Sequence, residues 1–157
     1  MNPPTPPDGR LTAFGNQLIE VHLWLREELA RLRDNPAAGT RELRAHCLAF
    51  CAAVTRHHTG EDRTAFPALA GQFPELRPVL EELARDHEQV AAIMRDLGDV
   101  LDRPGGDPER VRTEIDSLAA LLESHFVYEE KRIVTALNAL SAPGWRASVP
   151  AFLEKED

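Results

Sequence analysis

The sequence is short of basic residues, of cysteine and of long apolar runs, and each shortage removes a class of function. Lysine and arginine number 18 against 26 acidic residues, a net charge of −8. The positive footprint on which nucleic-acid or anionic-membrane binding relies is therefore missing. No stretch approaches the roughly 20 consecutive apolar residues of a membrane span. The opening MNPPTPPDGR lacks the apolar segment of a signal peptide, so a cytoplasmic protein is expected. The only cysteines, Cys47 and Cys51, stand four apart in a helical stretch. Backbone geometry there does not suit a disulfide, and two reduced thiols are expected.

The 157 residues suffice for one domain with a real core. Proline, glycine and turn residues cluster at Asp34–Gly39, Phe66–Pro74 and Asp102–Gly106, and cut the chain into four segments. Thr40 before Arg41-Glu42-Leu43 reads as a helix N-cap. Asp107-Pro108-Glu109 supplies a capping carboxylate, then proline at the first helical position, then a second acid. Pro143-Gly144 reads as a stop for the last helix. The expected organisation is a flexible lead over 1–9, a helical domain over 10–141 and a tail over 142–157. Trp145, Val149, Phe152 and Leu153 could fold that tail back over the domain.

Within each segment, steps of three and four trace a seam facing other helices. The second seam, for example, runs Leu43, Cys47, Phe50, Val54, His57, Glu61, and the fourth runs Val111, Ile115, Leu118, Leu122, His125, Glu129. No useful length alternates with period two. Four such helices joined by short loops predict an all-α, antiparallel up-down-up-down four-helix bundle. A weak repeat lays His57 to Asp62 over His125 to Glu130, and Ala68-Leu69 over Ala136-Leu137, so the bundle reads as two related hairpins.

Each seam is broken once by histidine, at His22, His57, His87 and His125, and the second helix of each hairpin adds a glutamate one turn on, Glu61 and Glu129. A buried polar group without a partner costs on the order of 1–3 kcal/mol, and an unpaired charge more. Six such groups must satisfy one another or hold something. Counted from the hairpin loops, His22 is 12 residues from Asp34, His57 is 17 from Thr40, His87 is 15 from Asp102 and His125 is 18 from Asp107. The spread of about 9 Å at 1.5 Å per residue lets all four share one level.

Residues four apart on a helix face the same way, so His57/Glu61 and His125/Glu129 each offer a nitrogen and a carboxylate to one point. Two carboxylates from opposite hairpins could bridge two cations. Imidazole with carboxylate suits iron, manganese or zinc more than magnesium or calcium, and a pair of iron ions is favoured. His46 lies three turns before His57 and reads as structural. His58 is about 100° round the helix from His57, off the seam. Asp62 and Glu130 are candidates for orienting the ligating imidazoles, a role also open to Glu20, Asp86 and Glu88. Gly60 is an oddity in a helix interior, where it allows a local bulge or a close approach.

These residues resemble the hemerythrin-like HHE cation-binding family from about Leu11 to Leu140. The likeness rests on a first-helix histidine (His22), HHxxED with a following FPxL (His57 to Asp62, Phe66 to Leu69), a third-helix histidine (His87) and HxxxEE in the fourth helix (His125, Glu129, Glu130). The resemblance implies a non-haem di-iron centre, oxo- or hydroxo-bridged, with Glu61 and Glu129 as bridging carboxylates. It also implies binding, sensing or reaction with O2, peroxide or NO, or the handling of iron. One departure matters: oxygen-carrying members have a second third-helix histidine one turn after the first, where this chain has Ala91. Water, His58 or Tyr128 could take its place, although the favoured reading of Tyr128 is a half-buried tyrosine with its hydroxyl at the bundle surface. A more open site favours peroxidase- or catalase-like chemistry over reversible O2 carriage. Iron storage or sensing, with metal occupancy controlling a partner surface, is the competing reading. Monomer and homodimer both remain open.

Overall fold

The computed structural model describes residues 13–34, 41–103 and 107–155, and every regular element among them is helical. Helix α1 (Phe14–Arg33) ends with the Asp34 N–H on the Ala30 carbonyl. Helix α2 (Arg41–Gly60) runs into a five-residue π turn, Glu61–Ala65, and then into α3 (Phe66–Gln72). After a single 3-10 turn at Pro74–Leu76 come α4 (Arg77–Asp102) and α5 (Pro108–Ala139). Asp107 caps α5 as expected, its side chain accepting from the Glu109 and Arg110 N–H groups at 3.1 and 3.3 Å. Thr40 and the 1–9 lead lie outside the described residues. No described helix is long and apolar enough to cross a membrane.

These elements form a bundle of four long helices, the second of them being α2, the π turn and α3 in succession. Contacts along α1 and α5 join Asn16 to Asn138, His22 to Glu130, Arg26 to Glu123 and Arg33 to Asp116. Gly15 permits the close crossing of α1 and α5, because a Cβ there would run into the Val134 carbonyl.

Phe66-Pro67 does not end the second helix, contrary to the sequence expectation. A proline ring clashes with the carbonyl four residues back in a straight α-helix and removes one N–H. The wider turn just before it, in which the Phe66 N–H reaches the Glu61 carbonyl, carries the chain into α3. The break falls instead at Phe73, whose φ of −129° and ψ of 73° leave the helical region.

The core is divided by a polar layer. On one side Val21, Leu25, Val54, Val90, Leu118 and Leu122 belong to one buried apolar cluster. On the other, Leu18, Ala65, Leu83, Ile133, Leu137 and Phe152 belong to a second. His22, His57, His87, His125, Glu61 and Glu129 fall between them along each chain segment, and all are buried.

The tail joins this core. After Ala139 the chain makes one turn of helix, α6 (Gly144–Ala147), and a 3-10 turn at Ala151–Leu153. Phe152 is fully buried and Leu153 nearly so, while Val149 stays exposed. Trp145 links the tail to α1, edge-on to Phe14 with centroids at 4.9 Å and to Phe152 at 5.5 Å. Both thiols are free, Cys47 buried and Cys51 half-buried. Burial pushes Cys47 up to about 12 and Cys51 up to about 11, which favours the thiol over the thiolate at both.

Candidate metal centre

Four helices and the π turn converge on one level. Their donor atoms form two groups, His22, His57, Glu61 and Glu129 in one and His58, Glu61, His87 and His125 in the other, each with its atoms within 4.8 Å of one another. The six residues singled out from the seams are thus brought together. His58, off the seam by helical phase, joins them: its ring stacks on His87 at 3.9 Å and stands edge-on to His125 at 5.1 Å.

The glutamates lie between the groups. Glu129 turns Oε1 to His22 Nε2 at 3.2 Å and Oε2 to His125 Nε2 at 3.2 Å and His87 Nε2 at 3.9 Å. Glu61 Oε1 lies 3.1 Å from His87 Nε2 and 3.6 Å from His57 Nε2.

The far edge of four imidazoles is held by an acceptor. His22 Nδ1 meets Glu130 at 2.7 Å, His57 Nδ1 the Phe152 carbonyl at 2.6 Å, His87 Nδ1 Asp62 at 2.8 Å and His125 Nδ1 Asp86 at 3.0 Å. Each acceptor draws the ring proton to Nδ1 and turns the Nε2 lone pair into the layer, the arrangement that orients metal-binding histidines. Arg26 extends one of these chains, donating to Glu130 at 3.0 Å and to Glu123 at 2.8 Å.

Of the orienting candidates, Asp62, Glu130 and Asp86 fill that role, whereas Glu20 and Glu88 are exposed. Tyr128 does not approach the layer, for its hydroxyl donates to Glu82 at 2.9 Å at the surface and its ring lies under Arg132. His46 is half-buried and in neither group. Two contributors had no signature in the sequence: Arg26, an ordinary surface-type residue there, and the Phe152 carbonyl, a backbone atom of the tail.

Nε2 of His58, His87 and His125 and both carboxylate oxygens of Glu61 and Glu129 are buried without a well-directed hydrogen bond. Few native structures leave so many buried polar atoms unsatisfied in one place. The protonation pattern shows the same need for positive charge. Burial and the Glu129 carboxylate push the Glu61 carboxyl well up. Burial opposes ionisation of Glu129 too, yet the close approach of Glu61, His125, His22 and His87 holds it well down. His87 rises to about 12, since Asp62, Glu129 and Glu61 outweigh its burial. His57, buried and beside His22, falls to about 3, and burial with neighbouring imidazoles takes His58 well down. The layer therefore carries positive charge as protons or as cations, and its imidazole and carboxylate donors fit a transition metal.

The fold and this donor set agree with the comparison to known families, in which residues 15–137 match the Hemerythrin HHE cation binding domain. The chain belongs to that family. No curated protein and no solved structure matches it. As a Hemerythrin HHE domain the chain is a cation-binding module, and the His/Glu cluster is the place in it able to hold a metal. A cleft of about 380 Å³, lined by Asp62, Phe66, Arg77, Leu80 and Glu81 among others, opens beside this cluster. Phe66 stacks on His87 with centroids at 5.5 Å.

Proposed function

We propose that the layer holds two iron ions and that the protein binds, senses or reacts with O2, peroxide or NO there. The observation that carries this reading is the convergence of seven buried donor residues, five histidines and two glutamates, whose inward atoms form two groups sharing Glu61. His22 and His57 would hold one ion and His58, His87 and His125 the other, with Glu61, common to both groups, and Glu129, whose two oxygens face His22 and His125, supplying the carboxylates. His58 then supplies the imidazole that the third bundle helix lacks at Ala91. Bound iron supplies Lewis acidity and one-electron redox chemistry. The protein's part is to hold the imidazoles by Nδ1, keep the layer dry between two apolar clusters and keep Asp62, Glu130 and Asp86 as proton partners one step outside.

The two groups are unequal. The His22/His57 group offers two imidazoles and two carboxylates, and the other offers three imidazoles and one carboxylate. The up-down-up-down topology belongs to this proposal and is supported by the pairings along α1 and α5, in which residue numbers rise on one helix and fall on the other. Zinc or manganese fits the same donors.

Metal content per chain of protein expressed with iron supplied, measured by inductively coupled plasma mass spectrometry, tests the reading. Two irons per wild-type chain, sharply reduced in His57→Ala and Glu129→Ala, support it. Little metal, or metal indifferent to both substitutions, overturns it. Stopped-flow spectra of the loaded protein with NO and with peroxide then separate a stable adduct from turnover.

A further inference from the structure

The tail reaches one imidazole of the layer and does so through a backbone atom. His57 Nδ1 donates to the Phe152 carbonyl at 2.6 Å, whereas the anchors of His22, His87 and His125 are carboxylates carried by the helices. The 3-10 turn Ala151–Leu153 packs on α1 and α2, the helices that carry His22 and His57. Its approach is close because position 60 is glycine: a Cβ there would meet Phe152 N at 2.8 Å, Phe152 Cβ at 3.0 Å and Phe152 Cα at 3.2 Å. Two of those atoms are backbone, so alanine at position 60 cannot be accommodated by turning a side chain. Burial of Phe152 and its edge contact with Trp145 fix the turn from the other side.

We propose that residues 148–155 form a latch that holds His57 in its ligating tautomer and orientation, so that docking of the C-terminal strap sets how tightly the metal at the His22/His57 position is retained. The inference rests on the two-metal reading above. The other position is indifferent to the latch, because His87 and His125 take their orientation from Asp62 and Asp86, and His58 faces His87 across a stacked contact. Gly60 and the Phe152 carbonyl are positioning groups and act on the metal only through His57. An outer partner of a ligating imidazole typically changes metal affinity about 10-fold to 100-fold.

The test uses the full-length iron-loaded protein and Gly60→Ala, with release of ferrous iron to a coloured chelator followed in time. Alanine is the better helix former, so loss of helix is not the expected cause of any effect, and circular dichroism verifies the fold. In Gly60→Ala one of the two irons leaves about 10-fold to 100-fold faster and the second at the wild-type rate. A chain ending at Ser148 shows the same split, and Gly60→Ala adds nothing to it, because the strap it would displace is gone. Two irons released at wild-type rates from Gly60→Ala, both accelerated alike, or effects that add in the double variant overturn the latch while leaving the two-metal reading intact. If the shortened chain does not fold, Gly60→Ala alone decides. Wild-type protein that holds fewer than two metals overturns the two-metal reading itself, and the latch with it.

Discussion

His22 Nε2 and His57 Nε2 face each other at 3.2 Å, buried and edge to face, while each ring's Nδ1 is engaged by an acceptor on its far side. In two neutral rings so held, both inward nitrogens present lone pairs. A proton on His22 relieves the opposition: burial works against it, but Glu129 and Glu130 outweigh burial and raise its pKa. A cation relieves it at both nitrogens at once. Metal is therefore expected to stabilise the native state, since the unfolded chain has no equivalent site. At a free metal concentration a hundred times Kd the gain is about 2.7 kcal/mol, which in a domain of this size raises Tm by roughly 5–10 °C. Differential scanning calorimetry before and after chelation checks this, and an unchanged Tm contradicts it.

His58 separates a structural histidine from a ligand. Its Nε2 is buried without a partner and its donor group contains Glu61, His87 and His125. His58→Ala is expected to lose one of two metals per chain and keep the other. His46→Ala, outside both groups, is expected to keep both. Equal metal content in the two variants would return His58 to a packing role.

The seam histidines and glutamates were legible because a helix periodicity fixes which face they occupy and loop spacing fixes their level. His58 was harder to place because that count allows one inward position per turn. A real buried stripe is wider than about 100°, and at this level both His57 and His58 fall inside it. Gly60 was a visible anomaly, but its partner in the close contact lies in the tail, about ninety residues on, and no local pattern points there. The π turn likewise hid behind Phe66-Pro67, since a helix that widens to pass a proline looks in sequence like one that ends at it. The acids after each glutamate, Asp62 and Glu130, were recognised as candidates, but which imidazole each holds depends on helix packing.

Those two acids have matching roles: Asp62 holds His87 and Glu130 holds His22. Asp62→Asn and Glu130→Gln are expected to weaken metal retention about 10-fold to 100-fold with the bundle still folded. Tyr128→Phe, whose hydroxyl contacts only Glu82 at the surface, is expected to change neither retention nor stability beyond about 0.5 kcal/mol. Chelator competition on the four proteins checks this. A Tyr128→Phe effect as large as that of Asp62→Asn would restore the tyrosine to the metal shell.

Acid is expected to unfold the metal-free protein in a defined window. His57, depressed to about 3, and His58, also depressed, gain protons in the unfolded chain from pH 6.5 downward, before the folded chain takes them up. Their contribution to stability is present above pH 6.5 and is lost as pH falls through their folded values. Glu61 has the opposite sign: its raised carboxyl binds a proton in the folded chain first, so it offsets the histidines until the unfolded carboxyl protonates near 4.5. Below that pH the offset ends, and Glu129 and Glu130, both held down in the folded state, also begin to lose their contribution to stability, because their unfolded carboxyls take up protons first. His87, raised to about 12, is protonated in the folded chain throughout this range and adds slope only close to pH 6.5, where the unfolded imidazole is still taking up its proton. Urea midpoints of metal-free protein should therefore fall gently from pH 6.5 to 4.5 and steeply from 4.5 to 3. Glu61→Gln abolishes the offset, so its decline should begin at full slope at pH 6.5. Identical profiles for wild type and Glu61→Gln would show that the buried carboxyl does not hold its proton in the folded state.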